Sequence, residues 1–534
     1  MACDVEEFYQ VETEKYIQSI YGKEQWVQVF GHKKLNGADA EFCCGIIDLD
    51  KLDDVFKDYS WDIHEGECYP GFPYDGKNVE YRRNISEEDG KEALIYKRNF
   101  YGIRPSVIEI SEEFRLLNNL YFESSENFYY SVKEDGQIDL AVRVIDDSVF
   151  VKLNYLIRYI SAKQKALLLF YDIRYKKSGN LKDNNFENFS KEYRTGDVFY
   201  SVWSGESNYP SESFSVLMGK KIIRPRVRET CGYWPYEKQR SYAEFIIGID
   251  ENGEERKYTS DPAKLSNNFG ANTNAPHYLT PVFFKKEVLH KYYADPKKYK
   301  VTEGRIECGY LWSLSVDLDH KEYVMAYLGD LGRDLPESEQ DNWKAYNVLA
   351  DEAISRSSFL RDFGNIAISP EIADVRFKIL YRRLNQTWEE RYGWPLFLPL
   401  VSSDEYNLDN LRIPLSNNQE EFDQQVLALN KILVDSLNEK QISKYITVAP
   451  NMKGISKFEE WCLAKGLKGY ENGISFMRKL QELRSAGTGH RKGKSYAKIG
   501  KEFGVEGNNF QDVFENILLQ GIELMECLYE QIIG

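Results

Sequence analysis

The chain has 534 residues, 42% apolar and 29% charged, and a net charge of −16. That length exceeds what one hydrophobic core usually organises and predicts several domains, while the composition excludes a disordered, collagenous or low-complexity protein. The excess of acid excludes a surface that coats nucleic acid as a whole, so any polyanion site has to be local.

The densest apolar run, Ala166-Leu167-Leu168-Leu169-Phe170-Tyr171, has the length of a buried strand and is far too short to span a membrane. The opening Met1-Ala2-Cys3-Asp4-Val5-Glu6-Glu7 lacks the basic start and apolar stretch of a secretory signal, so a cytoplasmic protein is expected. The eight cysteines include no C-x-x-C pair, and Cys43-Cys44 are adjacent, which argues against structural zinc and against a disulfide scaffold.

In chain order, residues 1–250 read mainly as sheet. Phe128 to Val142 carries a Glu-Asp-Gly turn between β-prone runs, and Glu244 to Gly253 repeats the pattern, so each is expected to be a hairpin. The polar stretches Lys176–Gly196 and Ser260–Pro276 read as long surface loops or linkers. Lys220-Lys221-Ile222-Ile223-Arg224-Pro225-Arg226-Val227-Arg228 alternates basic and apolar residues as a sheet edge does, the charges guarding it from other strands; a nucleic-acid backbone is the alternative partner.

Residues 251–420 read as mixed α/β. Strands are expected at 310–316 and 323–328 with Asp317–Lys321 as the turn, a break at Gly329–Pro336, and a short helix opening at Glu337-Ser338-Glu339-Gln340. Trp394 to Leu400 holds too much proline for a helix or central strand. Beyond 420 the period changes: Phe422, Val426, Leu429, Leu433 and Leu437 mark one helical face, and further helices follow around Phe458–Leu463, Ile474–Arg484 and Asn509–Ile533. The expected fold class is therefore α+β, a β-rich and mixed N-terminal region followed by an all-α four-helix bundle over 421–534.

The segment from Leu480 to Lys501 carries Arg484, Arg491, Lys492, Lys494, Lys498 and Lys501 with no acid between the first and last. That is a local polyanion site in an acidic chain. His490 lies inside it, and a histidine exchanges protons near neutral pH. In metal-free RNA cleavage such a group assists the 2′-hydroxyl or the leaving oxygen, while an arginine steadies charge on the phosphate. The alternative assigns Arg484 to complementing a helix C-terminus and makes His490 an ordinary loop residue.

Arg484-x5-His490, between the last two helices of a terminal bundle, resembles the R-x4-6-H motif of the HEPN superfamily, metal-independent ribonucleases of toxins and antiviral defence systems. The resemblance covers residues 421–534 and implies Arg484 and His490 as the catalytic pair and Arg491, Lys492, Lys494 and Lys498 as the RNA-binding residues. It also implies a composite site in a homodimer, tRNA or single-stranded RNA as substrate, and no cofactor. Ser485 departs from the Asn, Asp or His that often follows the arginine, and Gly487 and Gly489 suggest a loop within the motif. Under this reading residues 1–420 sense a phage-derived or protein trigger, or restrain the nuclease; the alternative is a non-catalytic RNA-binding or scaffold protein.

Gly487 to Ser495 misses the P-loop pattern because Thr488 stands where a glycine is required, and it follows a helix rather than a strand. The remaining histidines are dispersed, and Asp317, Asp319, Asp330 and Asp334 are read as turn residues rather than ligands of a cation.

Overall fold

A strand buried on both faces needs a nearly continuous apolar run, and Lys165–Ser178 supplies it in the interior of a large antiparallel sheet. The computed structural model describes residues 6–35, 38–57, 68–73, 79–86, 90–302, 304–320, 322–350, 372–399, 406–488 and 493–533. The fold is mixed α/β and divides into two units, Met1–Lys133 with Gln137–Gln239, and Glu134–Gly136 with Arg240–Gly534. Among the described residues no helix is long and apolar enough to cross a membrane.

The first unit contributes β1 (Trp26–Leu35), β2 (Ala38–Asp48), β3 (Lys91–Glu92), β4 (Ile95–Phe100), β5 (Arg104–Ile110), β6 (Tyr121–Glu123), β7 (Phe128–Val132), β8 (Ile138–Ile145), β9 (Ser148–Lys152), β10 (Lys165–Ser178), β11 (Ser190–Arg194), β12 (Val198–Asn208) and β13 (Ser211–Ile223). The main sheet runs β11-β12-β13-β10-β2-β1-β9-β8-β7-β6, with β3 paired to β2, while β4 and β5 form a separate ribbon. The expected hairpin at 128–142 is β7 and β8, in register from Phe128↔Arg143 to Val132↔Ile138 with one irregularity.

Alternation along β10 sends Leu167, Leu169, Tyr171 and Ile173 into one core, shared with Ile17 of α1 (Val11–Gln18), Phe114 of α2 (Glu112–Leu117) and Leu156 and Ile160 of α3 (Leu153–Lys163). Ala166 and Leu168 face a smaller core with Ile47, Leu52 and Ile222. Two covered faces explain why the run 166–171 shows no polar alternation.

Two expectations are corrected here. Lys176–Gly196 is not one loop: β10 continues to Ser178, and Ser190–Arg194 pairs with β12 as the end strand of the sheet. Nor are Lys220 and Lys221 on an edge, since β13 lies between β12 and β10. Lys220 is 0% exposed and its Nζ donates to the Val55 carbonyl at 2.8 Å. Lys221 points to the other face, donates to the Ile17 and Ser19 carbonyls at 2.8 and 2.6 Å, and sits 3.8 Å from the centre of the Tyr21 ring. A cation at the last carbonyls of α1 complements the helix dipole, and burial still pushes the Lys221 amine down to about 8. Arg224, beyond the strand, pairs with Asp197 at 2.6 Å.

The second unit opens with the hairpin β14 (Glu244–Ile249) and β15 (Glu255–Thr259), as the sequence predicts. β16 (Pro281–Lys285) precedes a three-stranded sheet of β17 (Tyr299–Thr302), β18 (Arg305–Cys308) and β19 (Trp312–Ser315); β20 (Tyr323–Tyr327) and β21 (Asn347–Val348) flank β16. Asp317 and Met325 exchange backbone hydrogen bonds of 2.8 and 3.1 Å that close the expected turn, yet β19 and β20 belong to different sheets.

The break expected at Gly329–Pro336 is instead α4 (Leu328–Asp334), followed by α5 (Glu337–Lys344). Leu328, Leu331 and Leu335 are all fully buried at helical spacing. A Cβ on Gly332 would lie 1.8 Å from the Ser260 carbonyl oxygen, so this glycine marks a close backbone approach rather than a chain break.

The longer C-terminal helices are α6 (Ala373–Tyr392), α7 (Gln419–Asn430), α8 (Gly454–Ala464), α9 (Glu471–Thr488), α10 (Lys494–Glu502) and α11 (Phe510–Ile533). Asn418 caps α7 by accepting from the Glu420 amide at 2.8 Å, and a π-helical turn, Lys431–Asp435, prolongs it. One core joins them, from Phe377 of α6 through Phe422, Trp461, Met477 and Leu480 to Phe514 and Met525 of α11. It therefore draws on residues well upstream of 421.

Candidate nucleic-acid interface

Helix α9 begins as a core helix. Ile474, Met477, Leu480 and Leu483 recur at three- and four-residue steps and are buried against its neighbours. Arg484 follows directly and is half-buried, one turn before the helix end, and the last turn itself holds no basic residue. The helix continues to Thr488 through Gly487, so the loop suggested by the glycines does not begin at Gly487. Ser485, the residue that departs from the family pattern, turns its Oγ back to the Gln481 carbonyl at 2.8 Å.

His490, Arg491 and Lys492 lie outside the described residues. The chain resumes at Gly493, the N-cap of α10. Helix α10 places Tyr496, Ile499 and Phe503 against the helical core, and Lys494, Lys498 and Lys501 on its exposed side at i, i+4 and i+7. None of these three lysines makes an ion pair among the described residues.

The two helices are braced by a neighbour. Gln419, at the start of α7, donates from Nε2 to Asp423 Oδ1 at 3.0 Å and to the Tyr496 hydroxyl at 2.7 Å. A Cβ on Gly487 would meet Tyr496 Cε2 at 3.2 Å and Asp423 Oδ1 at 3.6 Å, so the absence of a side chain there lets α7, α9 and α10 converge. Burial pushes the Tyr496 hydroxyl above its usual pKa, which keeps it a neutral hydrogen-bonding group at physiological pH. The brace was missed from sequence: Asn418-x-x-Glu421 carries a capping signal, but nothing in it points across the chain to residue 496.

At the start of α10 the charge arrangement works against helix stability, whereas Lys501 in the last turn suits the dipole. Lys494 stands in the first turn, where the helix dipole favours acids, and Lys494 and Lys498 are like charges one turn apart. Each effect costs a few tenths of a kcal/mol. The same placement creates a field that attracts a polyanion, with exposed backbone amides at the helix start adding to it.

The structure thus brings Arg484, Lys494 and Lys498 onto two consecutive, packed helices. Elsewhere, the carboxylates considered for a cation have local partners. Arg333 holds Asp330 and Asp334 at 2.9 and 2.6 Å, and Asp317 accepts from the Asp319 amide at 3.0 Å. Among the described residues no group of three or more His, Cys, Asp or Glu side chains is arranged to hold a metal ion. No family model matches the chain, and no curated protein or solved structure matches it.

Proposed function

We propose that the protein is a metal-independent endoribonuclease of the HEPN type, whose helical region over 421–534 is a HEPN-like four-helix bundle extended by α6. The observation that carries this reading is the concentration of cations around Arg484 and along α10 in a chain of net charge −16, with Lys494, Lys498 and Lys501 exposed on one side of that helix and making no ion pair among the described residues. His490 acts as general acid/base on the 2′-hydroxyl or the leaving 5′-oxygen, and Arg484 stabilises the charge that builds on the phosphorane oxygens. Arg491, Lys492, Lys494 and Lys498 hold the RNA backbone. Attack by the 2′-oxygen on phosphorus expels the 5′-oxygen and leaves a 2′,3′-cyclic phosphate and a 5′-hydroxyl.

The biological setting that fits is a bacterial anti-phage or abortive-infection effector in the cytoplasm. Two copies would assemble one composite site, and residues 1–420 would sense a trigger or restrain cleavage. The test is incubation of the full chain and its His490→Ala variant with total tRNA and single-stranded RNA in EDTA. Cleavage by the wild type alone, with cyclic phosphate ends, is the expected result. Equal cleavage by both proteins, or cleavage that EDTA abolishes, overturns the assignment. Binding of RNA by both proteins without cleavage favours a non-catalytic RNA-binding role, for which the lysine face of α10 suffices.

A further inference from the structure

The first unit contains a second charged site, unrelated to the basic helix. Between the β4–β5 ribbon, α2 and β3 lies a cleft of about 780 Å³. Its lining contains four carboxylates, and each has a cation beside it. Glu92 is held by Lys163 and Lys165, both at 2.6 Å, and Glu113 by Lys163 at 2.6 Å. Glu109 pairs with Arg98 at 2.7 Å and Glu112 lies 3.7 Å from Arg83.

Two lining cations remain. Neither Lys91 nor Arg115 makes a side-chain hydrogen bond or ion pair among the described residues, and Arg115 Nε is buried without a partner. A buried guanidinium Nε without an acceptor is costly in a folded chain and calls for a water or an anion to satisfy it. The cleft also has an aromatic wall. The Tyr69 and Tyr96 rings are 5.4 Å apart at 41°, and the Tyr69 hydroxyl is anchored to the backbone of Lys97, donating to its carbonyl at 2.7 Å and accepting from its amide at 2.9 Å. The Tyr96 hydroxyl makes no such bond among the described residues and is free to meet a ligand.

We infer that this cleft binds a nucleoside monophosphate, with Arg115 and Lys91 taking the phosphate and the tyrosine wall taking the base. A planar guanidinium suits two phosphate oxygens at once, and an aromatic face accepts any base by stacking. The cleft has the size of small-ligand sites generally. It gives the first unit something to recognise, independently of whether the C-terminal helices cut RNA.

The experiment is calorimetric titration of the full chain with the four ribonucleoside 5′-monophosphates, with inorganic phosphate and the matching nucleosides as controls. At least one monophosphate is expected to bind saturably, about tenfold or more tighter than either its nucleoside or phosphate alone. Arg115→Gln and Lys91→Gln are each expected to weaken it about tenfold, with Lys91→Gln serving as the check should Arg115→Gln unfold. A Lys494→Gln/Lys498→Gln variant is expected to bind nucleotide as the wild type does. No saturable binding, affinity no better than that of inorganic phosphate, or binding lost in the Lys494/Lys498 variant and kept in the two cleft variants would each overturn the assignment.

Discussion

Two basic runs stand out in this acidic chain, and the fold treats them in opposite ways. In the run starting at Lys220, two lysines are buried in an interior strand and donate hydrogen bonds to backbone carbonyls. In the run ending at Lys501, three lysines line the open side of one short helix and pair with nothing among the described residues. Basic composition is common to both; what differs is the element that carries it. A lysine in a strand covered on both faces has to bring its charge inward and find carbonyls, whereas the 3.6-residue period of α10 gathers Lys494, Lys498 and Lys501 on one side while its apolar residues face the core.

The sharpest test of that contrast is catalytic. Arg484→Ala and His490→Ala are each expected to lower RNA cleavage by about 100-fold or more, measured by single-turnover cleavage of a labelled RNA. A comparable loss from changes at Lys220 or Lys221, in protein that remains folded, would break the contrast. Next in size is Lys220→Ala, which empties a buried site and strips the Val55 carbonyl of its donor. It is expected to cost about 3 kcal/mol of unfolding free energy in urea titrations.

Lys221→Met sharpens the comparison through pH. An amine whose folded-state pKa, about 8, lies below its unfolded value binds fewer protons when folded across the interval between the two, so unfolding free energy rises with pH there. The wild type is expected to gain about 1 kcal/mol on the variant between pH 8 and 9.5, after allowing for residual solvent contact. A flat difference would show an amine that titrates normally. Lys494→Gln/Lys498→Gln is expected to leave stability unchanged or raised by about 0.5 kcal/mol, and to reduce the salt slope of RNA binding by about 2. The smallest effect belongs to Gly487→Ala. Helix propensity and the tight contact with Tyr496 oppose each other, so the melting temperature should move by less than about 2 °C.

How much of this was legible in the sequence depended on whether neighbours in the chain or distant ones decided the structure. The hairpin at 128–142 and the helices around 422–437, 458–463 and 474–484 follow from turn residues and local period, and all are present. The strand content of Lys220 and Lys221 was also legible, but their burial was not. It depends on β10 and β12 flanking them, which no local pattern states. Helix α10 escaped notice because its apolar stripe is only Tyr496, Ile499 and Phe503 among lysines and glycines. Of the candidate site, the cations were read from composition, and their common face came from the helix. The Gln419 brace required tertiary contact and left no signal.

The position of β10 in the interior of its sheet also sets the order in which the first unit can form. Asp48 of β2 pairs with Lys165, while Ile223 of β13 pairs with Leu167, so each neighbour comes from a distant part of the chain. During synthesis β2 can pair with β1 early, but its other edge must wait uncovered until β10 follows it. Fragments that end before Ser178 would therefore expose that strand to other chains, and a nascent chain of this protein is expected to engage holding chaperones until β13 has left the ribosome.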